Sequence, residues 1–125
     1  MAEPFILLDD ARPSGASDAR LYRGPREVVV ARRVEDIAPA LARIEELRAQ
    51  GFELAGYMAY EAGLALEPRL APLAAARVGA AGPLVWFGAF DGFEAIAADA
   101  VPDWLADHAQ PGIAQICPVE PQVSP

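Results

Sequence analysis

Short apolar runs separated by turn residues mark the first third of the chain. Phe5–Leu8 is closed by Asp9 and Asp10, the pattern of a buried strand that runs into a loop. Glu27–Ala31 is rich in valine and too short for a helix, so it predicts a second strand. Residues 21–23 predict another short strand, joined to the valine strand across the turn at Gly24 and Pro25.

From Asp36 the period of the pattern changes to that of a helix. Four apolar residues recur at spacings of four, three and three: Ile37, Leu41, Ile44 and Leu47. Glu35 and Asp36 suit the positive end of the predicted helix, and Pro39 is tolerated because it falls in the first turn. Gly51 is expected to end the helix in a left-handed conformation.

Two later segments, 54–60 and 84–90, are apolar at successive positions and predict central strands covered on both sides. The intervening residues are expected to begin with a helical turn at 61–63 and to continue partly as loop. After Phe93, residues 95–100 are consistent with a strand, and Asp103 is placed to cap a short helix over 104–108.

The chain is expected to form one domain over residues 1–110, followed by a proline-rich linker over 111–125. The predicted fold class is α+β: a mainly antiparallel sheet with one long helix and one or two short helices on its faces. The linker points toward a second domain that is absent from this sequence.

Composition restricts the possible functions. The 125 residues carry ten basic and 18 acidic side chains, a net charge of −8, which disfavours nucleic acid and anionic membranes as partners. One cysteine and one histidine cannot form an internal disulfide or a zinc site. The N-terminus has no signal-peptide pattern and no apolar run is long enough to span a bilayer, so we expect a cytoplasmic protein.

Few residues are candidates for catalysis. Asp9 and Asp10 are neighbours, and adjacent strand side chains point to opposite faces, so the pair favours a solvated strand end that binds turn N–H groups. His108 has no second base or nucleophile beside it, and Cys117 has no basic neighbour to activate its thiol. The residues alone therefore indicate no catalytic site and no metal site.

Three segments, read in order, resemble the N-terminal region of component I of aminodeoxychorismate synthase, a family that also contains component I of anthranilate synthase. They are FILLDDA at 5–11, GYMAYEAG at 56–63 leading into LEP at 66–68, and LVWFGAFD at 84–91. The resemblance covers the whole chain. The second and third segments are more similar to the para-aminobenzoate branch than to the tryptophan branch.

The resemblance implies that the full-length protein aminates chorismate to 4-amino-4-deoxychorismate on the way to folate, with ammonia from a glutamine amidotransferase subunit. In this family the magnesium and chorismate ligands belong to a C-terminal chorismate-binding domain, which is absent here. This chain alone is therefore expected to be a non-catalytic scaffold fragment without a cofactor. The alternatives are the same region of an anthranilate synthase, or an independent regulatory or protein-docking module.

The resemblance also implies an effector pocket. In tryptophan-binding members of the family an LLES motif lines a pocket for free tryptophan, and here Leu7 to Asp10 take its place. Asp9, Asp10 and Ala11 would line that pocket, with Arg20 adjoining it. A carboxylate at position 10 accepts hydrogen bonds from an ammonium group but repels a ligand carboxylate, so we expect no tight binding of tryptophan.

Truncation has a further expected consequence. Without the C-terminal domain, the apolar strands at 54–60 and 84–90 would keep an uncovered face, because the long helix covers only part of one side. We therefore expect the isolated fragment to form a homodimer that buries this face.

Overall fold

Six strands form two three-stranded antiparallel sheets in the part of the chain that the computed structural model describes, residues 3–73, 82–113, 115 and 117. The first sheet has the order β1-β2-β6, with β1 at Phe5–Leu8, β2 at Ala19–Arg23 and β6 at Glu94–Ile96. The second has the order β3-β5-β4, with β3 at Glu27–Ala31, β4 at Glu53–Met58 and β5 at Val85–Phe90. The predicted α+β fold class is confirmed, with the strands divided between two sheets.

The α-helices with defined bounds are α1 at Ile37–Ala49, α2 at Ala62–Leu66 and α3 at Val101–His108. Residues 71–73 are also helical. Short 3-10 turns at Val34–Asp36 and Ala98–Ala100 lead into α1 and α3. Pro39 lies in the first turn of α1, and Gly51, at φ +95°, follows its C-terminal end, as predicted. No helix of the described residues is long and apolar enough to cross a membrane.

The main core lies between α1 and one face of the second sheet. Alternation along β3 directs Val29 and Ala31 to this face, where they meet Ile37 and Leu47 of α1. The ion pair between Arg43 of α1 and Glu27 of β3, at 3.0 Å, lies at the margin of this core. The apolar stripe of the predicted helix therefore faces the sheet, and its polar residues lie outside.

A second core lies between α3 and one face of the first sheet. It contains Ala19 and Leu21 of β2, Ile96 of β6 and Val101 of α3. The other face of the same sheet contacts the second sheet through Tyr22, which packs with Ala55 and the fully buried Phe90. The rings of Tyr22 and Phe90 lie 5.4 Å apart, centroid to centroid. This aromatic contact joins the two sheets.

The strands at 21–23 and 27–31 are joined across Gly24 and Pro25 as predicted, whereas one of the two segments predicted to be central lies at a sheet edge. The β2 and β3 strands follow each other across Gly24 and Pro25 but do not pair, because β2 pairs with β1 and β6 whereas β3 pairs with β5. Of the two segments predicted to be central, β5 is central but β4 is an edge strand, with 45% of Tyr57 exposed. Apolar content on both faces does not distinguish a central strand from an edge that leaves part of its surface open.

The C-terminal elements differ from the prediction in their boundaries. The strand expected over residues 95–100 is limited to β6, and a 3-10 turn follows it. Helix α3 begins at Val101 with Pro102 in its first turn, so it starts before the expected cap at Asp103. Residues 74–81 of the expected loop, and most of the predicted linker at 111–125, lie outside the described residues.

Candidate functional site

The loop after β1 is organised by one carboxylate. The side chain of Asp10 accepts two hydrogen bonds from the Arg12 guanidinium, from Nε at 2.8 Å and from Nη2 at 2.6 Å. It also accepts the backbone N–H of Ser17 at 3.0 Å and that of Arg12 at 3.3 Å. Arg12 Nη2 donates a further bond to the carbonyl of Gly15 at 3.1 Å. Asp10 therefore binds turn N–H groups, as the sequence predicts, and closes the loop on itself.

These bonds determine the charge state of Asp10. The hydrogen bond from Arg12, with the Ser17 N–H second, lowers the pKa of the Asp10 carboxyl from 3.8 to about 2. The same contact raises the pKa of the Arg12 guanidinium. Both groups are therefore ionised at neutral pH and already paired with each other.

A groove of about 500 Å³ lies between this loop and the beginning of α3. Asp9, Asp10 and Ala11 line the loop side, together with residues 12–16. The helix side is formed mainly by apolar side chains: Ala98, Val101, Pro102 and Leu105, with the carboxylate of Asp99 among them. The volume is within the range of small-molecule sites.

The charges of the groove favour a cationic or neutral ligand. Asp9 and Asp99 add two carboxylates to its lining, and the Arg12 guanidinium is already occupied by Asp10 and the Gly15 carbonyl. A ligand ammonium group would find acceptors here. A ligand carboxylate would find the charge of Arg12 already balanced by Asp10 and would be repelled by Asp9 and Asp99.

Arg20 does not line this groove. It lies opposite Leu8 in the β1-β2 register, on the face of the first sheet that carries Tyr22 rather than the face that packs against α3. Its guanidinium carbon lies 4.6 Å from the centroid of the Phe93 ring, a cation–π contact. Three of the four residues expected at the effector pocket therefore share one groove, and the fourth is on the other side of the sheet.

The remaining residues of the groove, Arg12 and those of α3, are not evident from the sequence pattern. Arg12 pairs with Asp10 two residues away within the loop, and Leu105 reaches the loop from a helix almost 100 residues away in sequence. The spacing of Asp10 and Arg12 is a local signal that such a pairing is possible. Nothing in the sequence alone signals the contribution of α3.

A second surface is notable for being apolar and open. Val28 and Val30 of β3, Trp86 of β5 and Tyr57 of β4 lie on the face of the second sheet opposite α1, and we call this surface the valine–tryptophan face. Val30, Trp86 and Tyr57 are cross-strand neighbours in a single row. Val28 and Val30 are 41% and 39% exposed although both lie within a strand. Contiguous exposed apolar surface of this kind is typical of an interaction site.

No three histidine, cysteine, aspartate or glutamate side chains within the described ranges are grouped so that they could hold a metal ion. Cys117 is exposed, and His108 Nδ1 lies 2.8 Å from the carbonyl oxygen of Trp104. No family model, curated protein or solved structure matches the chain. A functional assignment therefore depends on the residues and the geometry described above.

Proposed function

We propose that this chain is the N-terminal scaffold region of component I of aminodeoxychorismate synthase, the enzyme that aminates chorismate to 4-amino-4-deoxychorismate for para-aminobenzoate and folate synthesis. The order of the three segments at 5–11, 56–68 and 84–91 supports the proposal. The single structural observation in its favour is the valine–tryptophan face. Two of the three segments contain the end of β4 and all of β5, with Tyr57 and Trp86 on this face.

In this proposal the valine–tryptophan face packs against the C-terminal chorismate-binding domain. That domain provides the magnesium and chorismate ligands, and a glutamine amidotransferase subunit provides ammonia in the cytoplasm. The role of this chain is to complete the hydrophobic core of the enzyme and to support the domain that holds the substrate. It requires no catalytic residue of its own.

The alternative within the same family is anthranilate synthase component I. Binding of free tryptophan in the groove at the end of β1 would favour this alternative. The groove has apolar walls and carboxylates for an ammonium group, but Arg12 is already paired with Asp10. The proposal therefore expects weak or no binding of tryptophan. Titration calorimetry tests it, and saturable binding at micromolar concentration would favour the tryptophan branch.

The decisive experiment uses the complete reading frame that contains these residues. We expect the purified product to aminate chorismate with ammonia and magnesium, whereas the 125-residue chain gives no turnover above a control without protein. A reading frame that ends at Pro125, or activity of the short chain alone, would contradict the proposal. The first result would favour an independent docking module.

Two matched variants test the packing role of the valine–tryptophan face in the complete protein. Val30→Arg places a charge on this face, and Leu66→Arg places one on α2, where Leu66 is 50% exposed. We expect Val30→Arg to reduce soluble, active enzyme strongly and Leu66→Arg to leave it nearly unchanged. Equal behaviour of the two variants would show that the face is not buried in the enzyme.

A further inference from the structure

A cleft that the proposed function does not use lies at the opposite end of β1 from the groove. We call it the aromatic cleft; it has a volume of about 320 Å³ and is lined by Glu3, Pro4, Phe5, Arg23, Trp104 and His108. Phe5 and Arg23 are cross-strand partners in the β1-β2 register, and Trp104 and His108 lie one turn apart on α3. Three segments distant in sequence therefore bring two aromatic rings, a guanidinium and an imidazole together.

The aromatic walls are ordered by contacts among themselves. The rings of Phe5 and Trp104 meet edge to face, with centroids 5.5 Å apart and an interplanar angle of 76°. The imidazole of His108 stacks on Trp104 at 4.1 Å and 13°. Phe5 nevertheless remains 51% exposed, although it is a large apolar residue within a strand. The exposed part of the Phe5 ring, beside the edge of the Trp104–His108 stack, is therefore available to a planar group.

Arg23 supplies an unused positive charge at this surface. Its guanidinium carbon lies 5.7 Å from the centroid of Trp104, and no described carboxylate forms an ion pair with it. By contrast, four other arginines do pair with acids: Arg12, Arg26, Arg33 and Arg43. A guanidinium presents several N–H donors in a plane that matches a carboxylate, so Arg23 is suited to bind one.

The imidazole of His108 is oriented by a hydrogen bond to the backbone of Trp104. Since the Trp104 carbonyl can only accept, His108 Nδ1 must carry the hydrogen of their 2.8 Å bond. The other ring nitrogen, Nε2, is then free of this contact and can bind a second group. Glu3 also lines the cleft, and its carboxylate repels negatively charged groups of a ligand, whereas Arg23 attracts them. One ligand carboxylate can be neutralised by Arg23, whereas a second would face Glu3.

We propose that the aromatic cleft binds a planar aromatic monocarboxylate, with the ring against Trp104 and Phe5 and the carboxylate on Arg23. The small volume, at the lower end of known ligand sites, favours a ligand with a single ring. This inference is independent of the proposed function, because the cleft is formed by the first sheet and α3 and does not involve the valine–tryptophan face.

Benzoate is the probe, and the indole N–H signals of the two tryptophans in the 15N-labelled chain are the readout. The Trp104 signal is identified by its loss in Trp104→Phe. We expect it to shift saturably at ligand concentrations up to about 10 mM, the range expected for a single-ring ligand held by one charge pair. The Trp86 signal should stay in place. Absence of a saturable Trp104 shift would overturn the proposal.

Two ligands and two variants separate the contributions to binding. Benzylammonium has the ring but the opposite charge, and cyclohexanecarboxylate has the charge without the flat ring; both should bind more weakly than benzoate. Arg23→Gln should weaken benzoate binding by about tenfold, because it removes a charge-assisted pair. Arg32→Gln, which removes an exposed arginine outside the cleft, should change it less than about twofold. Equal effects of the two variants, or equal binding of benzylammonium, would refute the assignment.

Discussion

Substitutions at Gly88 and Phe90 should be energetically coupled, because the Phe90 ring occupies the space that a side chain at position 88 would need. The two positions lie two residues apart on β5 and therefore share a face of the strand. A Cβ atom at position 88 would lie 2.6 Å from Cζ and 2.7 Å from Cε2 of Phe90, and 3.3 Å from Cβ of Pro25. Phe90 is fully buried between the two sheets, so its ring cannot move aside freely.

The expected free energies of unfolding follow from this geometry. Gly88→Ala should cost about 2 kcal/mol, since overpacking a well-packed core typically costs 1–3 kcal/mol. Phe90→Ala should cost about 3–5 kcal/mol through the lost burial and the cavity it leaves. In the Phe90→Ala background only the 3.3 Å contact with Pro25 remains, and Gly88→Ala should become nearly neutral or stabilise by up to about 0.5 kcal/mol, because glycine is unfavourable inside a strand. Whether Gly88→Ala lowers or raises the free energy of unfolding therefore depends on the presence of the Phe90 ring.

Urea denaturation followed by circular dichroism measures this double-mutant cycle, with a coupling free energy of about 2 kcal/mol expected. Gly92→Ala is the matched control, since a Cβ there meets no atom within 4 Å. Phe90→Leu serves as a second background if Phe90→Ala leaves too little folded protein. If Gly88→Ala costs the same with and without the aromatic ring, the steric explanation is refuted.

Three further predictions concern other parts of the chain. Because the pKa of Asp10 in the folded protein is below its ordinary value, the stabilisation that its carboxylate gives the loop is complete above pH 3.8 and is lost as the pH falls toward about 2. The NMR signal of the Ser17 amide should shift in that pH window, and a shift centred well above pH 4 would contradict this prediction. Leu47→Ala should destabilise the protein by about 2–5 kcal/mol in urea denaturation, whereas Leu66→Ala at an exposed site should cost less than about 1 kcal/mol; similar losses would disprove the location of the core. The isolated chain should sediment as a dimer at micromolar concentration and Val30→Arg as a monomer, and a monomer for the unaltered chain would exclude the dimer.

Local patterns predicted most elements of the fold, because the hydrophobic periodicity of a helix or a strand can be recognised from residues that are close together in sequence. The spacing of Ile37, Leu41 and Leu47 indicated α1 and the face it buries, and Gly51 indicated where the helix ends. Which strands pair was not predictable in the same way, since pairing depends on contacts between distant residues. The short turn at Gly24 and Pro25 suggested a link between neighbouring strands, but the chain uses it to pass from one sheet to the other.

The candidate site was predictable only in part, for the same reason. Asp9, Asp10 and Ala11 were grouped by the resemblance of their segment to a family motif, and as consecutive residues they remain together in any fold. Arg20 was grouped with them by its likeness to a family segment, but the alternation of β2 directs it to the opposite face of the sheet. Leu105 and the other α3 residues of the groove come from the far end of the described chain, and no local pattern brings them to the loop.

The way strands are shared between the two sheets determines when each sheet can form during synthesis. On the ribosome, β1 and β2 can pair soon after they emerge, but their third strand, β6, is translated about 70 residues later. In the same way, β3 cannot pair with another strand until β5 has been translated. The second sheet cannot be completed before Phe90 is translated, nor the first before Ile96, and contacts this distant in sequence form slowly. The valine-rich strand β3 therefore has no strand partner while the roughly 50 residues between Ala31 and Val85 are translated, and its apolar side chains are open to non-native contacts during that interval.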